Sequence, residues 1–208
     1  MHQARQSVTT KIPIERKGTK YIVRSSSHLD NSVPLLIAVR DILGLAKTAR
    51  EVKHMIQTRL LKINGRLVED FKESIKLFNI LEADKTYVLS LLPTKKFVFE
   101  ETKDSDTRLV KVINKRLVSK GLFQLNLHDG SNILTKDKIN VGDSLILDFS
   151  SKIKKHIQID KGKEVFVFSG KYAGHKGKVE SISDSSITIK FKDKEDLAVL
   201  KSSQVIVR

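Results

Sequence analysis

The chain has 208 residues, with 39 Lys and Arg against 24 Asp and Glu and a formal charge of +15, a balance that calls for a polyanionic partner. The absence of cysteine excludes disulfides and thiolate metal sites and suits a reducing cytosol. The longest apolar run, Val33 to Val39, is far too short for a bilayer span, no signal peptide is visible, and the six histidines stand at least 19 positions apart, so no short metal-ligand pair exists.

Residues 1–34 carry 6 basic and 2 acidic side chains, with Pro13, Pro34 and the run Ser25-Ser26-Ser27. They read as an extended basic arm that orders on RNA, with Arg16, Lys17, Lys20, Tyr21 and Arg24 as candidate contacts. Leu35, Leu36, Val39, Ile42 and Leu43 then follow a helical period closed by Gly44, and Arg40 lies on that helix. Thr48 with Glu51 three residues on forms a capping box for a second helix, whose apolar stripe is Ala49, Val52 and Ile56. Arg50, Lys53, His54 and Gln57 fall on its opposite side. Asn64-Gly65 between Leu60 and Val68 predicts a tight hairpin shaped by Gly65, with Arg59, Lys62, Asn64 and Arg66 close by as further RNA candidates.

From residue 93 the reading becomes all-β. Phe97 to Glu100, Leu109 to Val118, Leu122 to Leu127 and Ser144 to Phe149 are strand-like, with turns at Asp104 to Asp106 and at Asp129-Gly130. This block is nearly neutral and reads as structural. Lys152, Lys154 and Lys155 look like a basic linker into the last segment. There GKEVFVFSGKYAGHKGKV, residues 162–179, sets Gly170, Gly174 and Gly177 in the connection between two strand-like runs, where glycine serves positive φ or close backbone approach. Lys171, Lys176, Lys178, His175 and Tyr172 fill the gaps, which suits phosphate contact plus base stacking. Ser186 to Phe191 and Gln204 to Val207 read as later strands.

The spacing Val-x-Val-x-x-Gly-x-x-x-Gly-x-x-Gly-x-Val resembles the KOW motif of ribosomal proteins and transcription elongation factors. Residues 35–92, two helices followed by a hairpin, resemble the small RNA-binding fold of bacterial ribosomal protein four, in which glycine is common where Arg59 stands. The order of parts resembles the archaeal and eukaryotic small-subunit ribosomal protein "four-e" family, and the resemblance implies an archaeal copy. Pro13-Ile14 with Arg16-Lys17, Val33-Pro34-Leu35, Arg40-Asp41, Glu51-x-Lys53, Leu127-His128-Asp129-Gly130-Ser131-Asn132, Gly142-Asp143 and Gly170 to Val179 carry that resemblance. Tyr21 departs from it, standing where the family tends to have Trp.

The expected fold class is therefore α+β and multidomain: a basic arm over 1–34, a helical RNA-binding domain over 35–92, a central β-rich domain over 93–151, and a KOW-type SH3-like barrel over 152–208. The resemblance implies a structural component of the cytoplasmic small ribosomal subunit, with ribosomal RNA and neighbouring ribosomal proteins as partners. No cofactor, metal, membrane, small-molecule substrate or homo-oligomer is expected. Two other classes compete: a KOW-containing elongation factor, which needs a different N-terminal domain, and an RNA-modifying enzyme, for which no catalytic constellation or large α/β domain is present.

Overall fold

The computed structural model describes residues 2–102, 106–183, 186–191 and 197–208, so the expected turn at Asp104 falls outside the described residues. The chain is mostly β with few helices, in two compact units, Met1–Asp106 and Thr107–Arg208.

In the first unit the N-terminal segment is folded, which corrects the expectation of an extended arm. Strand β1 (His2–Ala4) pairs with β2 (Tyr21–Val23), and Val8, Ile12 and Ile22 are buried. Arg5 binds the intervening loop through the Thr19 and Glu15 carbonyls and the Thr19 hydroxyl. The serine run, expected within that arm, is a hydroxyl cluster. Ser25 Oγ lies 2.8 Å from Ser32 Oγ and 2.7 Å from Ser74 Oγ, while β3 (Ser32–Pro34) pairs with β6 (Ser74–Lys76). Buried hydroxyls that satisfy one another avoid the penalty of an unpaired polar group.

Helix α1 starts at Leu35–Ile37 and continues as the π-helical turn Ala38–Ile42, with Leu43 N–H donating to the Ala38 carbonyl. Helix α2 is Ala49–Gln57, and its Thr48–Glu51 capping box forms as predicted. A five-stranded antiparallel sheet follows in the order β5-β4-β7-β8-β9, built from β4 (Lys62–Ile63), β5 (Arg66–Leu67), β7 (Ile80–Glu82), β8 (Thr86–Leu91) and β9 (Phe97–Glu101). The last pairing crosses the expected boundary at 92/93, because residues 92–96 form a hairpin turn with Lys95 at φ 61 where no glycine announces it.

In the second unit β10 (Thr107–Ser119), β11 (Leu122–Leu127), β12 (Asn132–Thr135), β13 (Ser144–Asp148) and β14 (Ile153–Ile157) form a sheet in the order β12-β11-β10-β13-β14. Its inner side buries Val110, Val112, Leu125, Leu127, Leu145 and Leu147. Of the residues expected as a basic linker, Lys154 and Lys155 thus lie in strand β14, paired to β13, with Lys154 Nζ 3.7 Å from Asp148, while the Lys152 carbonyl accepts from Asp148 N–H in the turn before it. A last sheet, in the order β18-β17-β16-β15-β19, comprises β15 (Glu164–Val167), β16 (Lys176–Ile182), β17 (Ser186–Phe191), β18 (Leu197–Lys201) and β19 (Val205–Val207). Its core takes in Ile157 from β14, so the division expected at 151/152 runs through a shared apolar cluster.

Two polar groups tie these sheets together. Ser144 Oγ accepts from Val207 N–H at 2.9 Å, and Lys111, only 2 % exposed, donates its ammonium to the carbonyls of Ser202 and Val205. Removal from water pushes the Lys111 ammonium down to about 8.

Candidate nucleic-acid interface

Helix α2 buries Val52 completely and leaves Arg50, Lys53 and His54 exposed, so the amphipathic pattern read from the sequence holds in space. Lys53 Nζ lies 5.1 Å from the Phe71 ring centroid and Lys72 Nζ 5.2 Å from it, so one half-buried ring gathers two ammonium groups. The helix ends in a Schellman pair, Leu60 N–H to the Met55 carbonyl and Arg59 N–H to the Ile56 carbonyl, which puts Arg59 in the left-handed region at φ 58. That geometry is the reason glycine suits the position, and it turns an exposed guanidinium outward instead.

In the hairpin Asn64 and Gly65 take φ 52 and φ 77, the left-handed pair of a type I′ turn. Asn64 Oδ1 accepts from Ile80 N–H at 2.9 Å, so its amide oxygen serves the fold. Arg66 pairs with Glu73 at 2.5 Å, and that same carboxylate accepts from the backbone of Glu69 and Asp70. Lys62 lies 3.5 Å from Glu82. These cations are exposed and each retains donors beyond its partner.

Among the N-terminal candidates, Arg16 donates to the Val8 carbonyl at 3.1 Å, Lys20 Nζ sits 5.3 Å over the half-exposed Tyr21 ring, and Arg24 is partly buried. Arg40 grips Asp41 through two hydrogen bonds of 3.0 and 2.9 Å. Arg5, Lys17 and Arg40 line a cavity of about 570 Å³ walled by Ile14, Ile22 and Ile37.

At the C-terminal loop Gly170 and Gly174 both take φ 90, where side chains strain the backbone. Gly177 has no positive φ; it lies within β16, where a Cβ would stand 2.5 Å from Ile189 Cγ2 and 2.6 Å from the Lys190 carbonyl oxygen. Lys171, Lys176 and Lys178 are exposed, the last two alternating with buried Gly177 and Val179. The aromatics differ from the cations. Tyr172 packs on the core with its ring 5.0 Å from that of Phe191, and His175 lies 5.6 Å from the same ring, so both hold the loop onto the sheet.

The run Leu127 to Asn132, for which the sequence offers no chemical reason, has one in three dimensions. Asp129 accepts from Ser131 N–H at 2.9 Å, Ser131 Oγ at 2.6 Å and the Arg108 guanidinium at 2.7 Å. Burial works to raise the Asp129 carboxyl, but the Ser131 hydroxyl and the Arg108 charge outweigh it and hold the group below its usual range. His128 Nδ1 accepts from Lys111 N–H, and Gly130 turns the chain at φ 80. The roles of Arg108 and Lys111 escaped sequence reasoning because their partners lie 21 to 94 residues away.

These features define a class: a polybasic, mostly β protein whose cations lie on its surface while its buried charges hold the fold. The sequence pattern of ribosomal family S4e matches residues 83–163. The small ribosomal subunit protein eS4 of Archaeoglobus fulgidus is 33 % identical over 187 residues, covering 87 % of this chain and 80 % of that protein. That of Methanococcus maripaludis is 30 % identical over 227 residues, covering 99 % and 93 %. The crystal structure of the 30S ribosomal protein S4e from Thermoplasma acidophilum matches with a TM-score of 0.72 at 25 % identity, covering 86 % of this chain and 95 % of that one. The chain belongs to ribosomal family S4e.

Proposed function

We propose that this chain is a structural component of the small ribosomal subunit in the cytoplasm, where it binds and clamps ribosomal RNA and so supports subunit assembly and translation. The observation that carries this is similarity to small ribosomal subunit protein eS4 along 99 % of the chain, together with the charge of +15. Its partners are ribosomal RNA and neighbouring ribosomal proteins; it acts without turnover, small-molecule substrate or self-association. Residues 152–208 work as a KOW-type SH3-like barrel, a reading supported by five antiparallel strands and by the glycine geometry of the 170–177 loop. Lys171, Lys176 and Lys178 contact phosphates there. On the first unit Arg50, Lys53, His54, Arg59, Lys62 and Arg66 form a second contact face, and Arg16, Lys17, Lys20, Tyr21, Arg24 and Arg40 a third.

Phosphate contact releases counterions, so affinity must depend on salt. Purified chain is expected to bind protein-free small-subunit ribosomal RNA with log affinity falling by about 0.7 to 0.9 per phosphate contacted for each unit of log salt. The native protein is expected to sediment with small subunits and to leave them only in high salt. A slope near zero, or sedimentation apart from the subunit at low salt, would refute the reading.

A further inference from the structure

The block read from the sequence as nearly neutral is not neutral over its surface. No Asp or Glu occurs between Asp106 and Asp129, whereas Arg108, Lys111, Lys115, Arg116 and Lys120 all fall in that interval. The acids that follow are engaged locally. Asp129 holds Ser131 and Arg108, Asp137 accepts from Thr135, Asp143 accepts from Asn140 N–H and lies against His156, and Asp148 accepts from Phe149 N–H. Arg116 and Lys120 are exposed and make no ion pair with a described residue.

Register sorts this sheet into two faces, because residues directly opposite one another share a side. Lys115, Leu125 and Ile133 form one row, and Leu125 and Ile133 are buried, so that face is the core side. The neighbouring rows are therefore on the outer side: Asn114, Asn126 and Asn132, then Arg116, Gln124 and Leu134. Asn114, Asn132 and Arg116 are exposed, and Gln124 donates to Asn126 at 3.1 Å. The outer face is thus rich in amides, cationic at its hairpin end and free of carboxylates.

Primary amides both donate and accept, which fits base edges and the ribose 2′-hydroxyl, and guanidinium and ammonium groups fit phosphate. Apolar side chains are exposed here too, Leu134 in these two rows and Ile113, Leu117 and Val118 along β10, but amides and cations fill the centre of the two rows, where a protein partner would call for an apolar or aromatic core. We propose that the outer face of the β10–β11–β12 sheet docks ribosomal RNA, Arg116 and Lys120 taking phosphates and Asn114, Gln124, Asn126 and Asn132 meeting sugar and base edges. This rests on the ribosomal RNA reading above and adds a contact surface that composition assigned to the scaffold.

The test uses the full chain and protein-free small-subunit ribosomal RNA. R116Q/K120Q is expected to melt like the parent and to bind with a salt dependence shallower by about 1.4 to 1.8 logarithmic units, two phosphates' worth. N114A/N132A is expected to bind several-fold more weakly with an unchanged salt dependence, since neutral contacts release no counterions. If the parent binds and both variants match its affinity and slope, this face meets protein or solvent and the proposal falls, while the ribosomal RNA reading stands. Failure of the parent itself to bind would overturn both.

Discussion

Gly177→Ala adds one carbon at the tightest point of the C-terminal sheet. The new Cβ would stand 2.5 Å from Ile189 Cγ2 and 2.6 Å from the Lys190 carbonyl oxygen, against an ordinary carbon separation of about 3.5 to 4.0 Å. Neither neighbour retreats easily. Ile189 is fully buried in the core, and the Lys190 carbonyl belongs to β17, which is paired with β16 through Lys178 and Lys190. Displacing a packed strand and side chain by about 1 Å falls at the upper end of overpacking costs, about 2 to 3 kcal/mol. For a unit of this size that corresponds to a fall in melting temperature of about 8 to 24 °C. Thermal melting followed by circular dichroism reads it directly. K171Q/K176Q/K178Q, three exposed side chains in the same loop region, is expected to melt within about 2 °C of the parent while its ribosomal RNA affinity falls and its salt slope flattens by about 2. A G177A melt indistinguishable from the parent would refute the close-approach argument, and a triple-lysine variant that binds like the parent at every salt concentration would refute the phosphate role of the loop.

Lys111 makes folding pH-dependent in a stated direction. Its folded group titrates at about 8 against 10.5 for an exposed lysine, so between these values the unfolded chain holds a proton that the folded chain has lost. Stability contributed through this group therefore rises with pH from about 8 to about 10.5, by up to about 3 kcal/mol, and the penalty is fully present below pH 8. The difference in urea midpoint between the parent and K111M should grow in the parent's favour across that window; a constant difference would show that the ammonium is not desolvated. Arg59→Gly should leave the first unit as stable as the parent or more stable by up to about 1 kcal/mol, since the left-handed strain at φ 58 outweighs the entropy of glycine. The same change should weaken ribosomal RNA binding by removing a cation, and lower stability in urea would contradict this.

Much of the first unit was legible because its signals act within about four residues. Thr48 and Glu51 cap α2, Asn64 and Gly65 close a hairpin, and Val52 alternates with exposed cations, all as the spacing predicts. The misreadings share a cause. The polar serines and prolines of residues 1–34 read as an arm, yet Ser25 finds Ser74 from 49 residues away. Strand β9 reads as part of the next domain because Lys95 turns the chain without a glycine. Spacing places Tyr172 and His175 only as gap-fillers between loop glycines; it takes the folded sheet to set their rings against Phe191.

The sequence by itself determined the charge, the local elements and, through motifs spread over the chain, the ribosomal family. Those properties are sums or short-range patterns, and a linear string contains them in full. Only the tertiary structure decided which charges work inside and which remain outside. Arg108 and Lys111 count equally with Arg116 and Lys120 in composition, but the first two are buried, Arg108 against the Asp129 carboxylate and Lys111 against distant carbonyls, while the last two are solvated. The physical reason is that a charge's role depends on its desolvation and its partner, and both are set by chain segments that meet only when the sheets close over their cores.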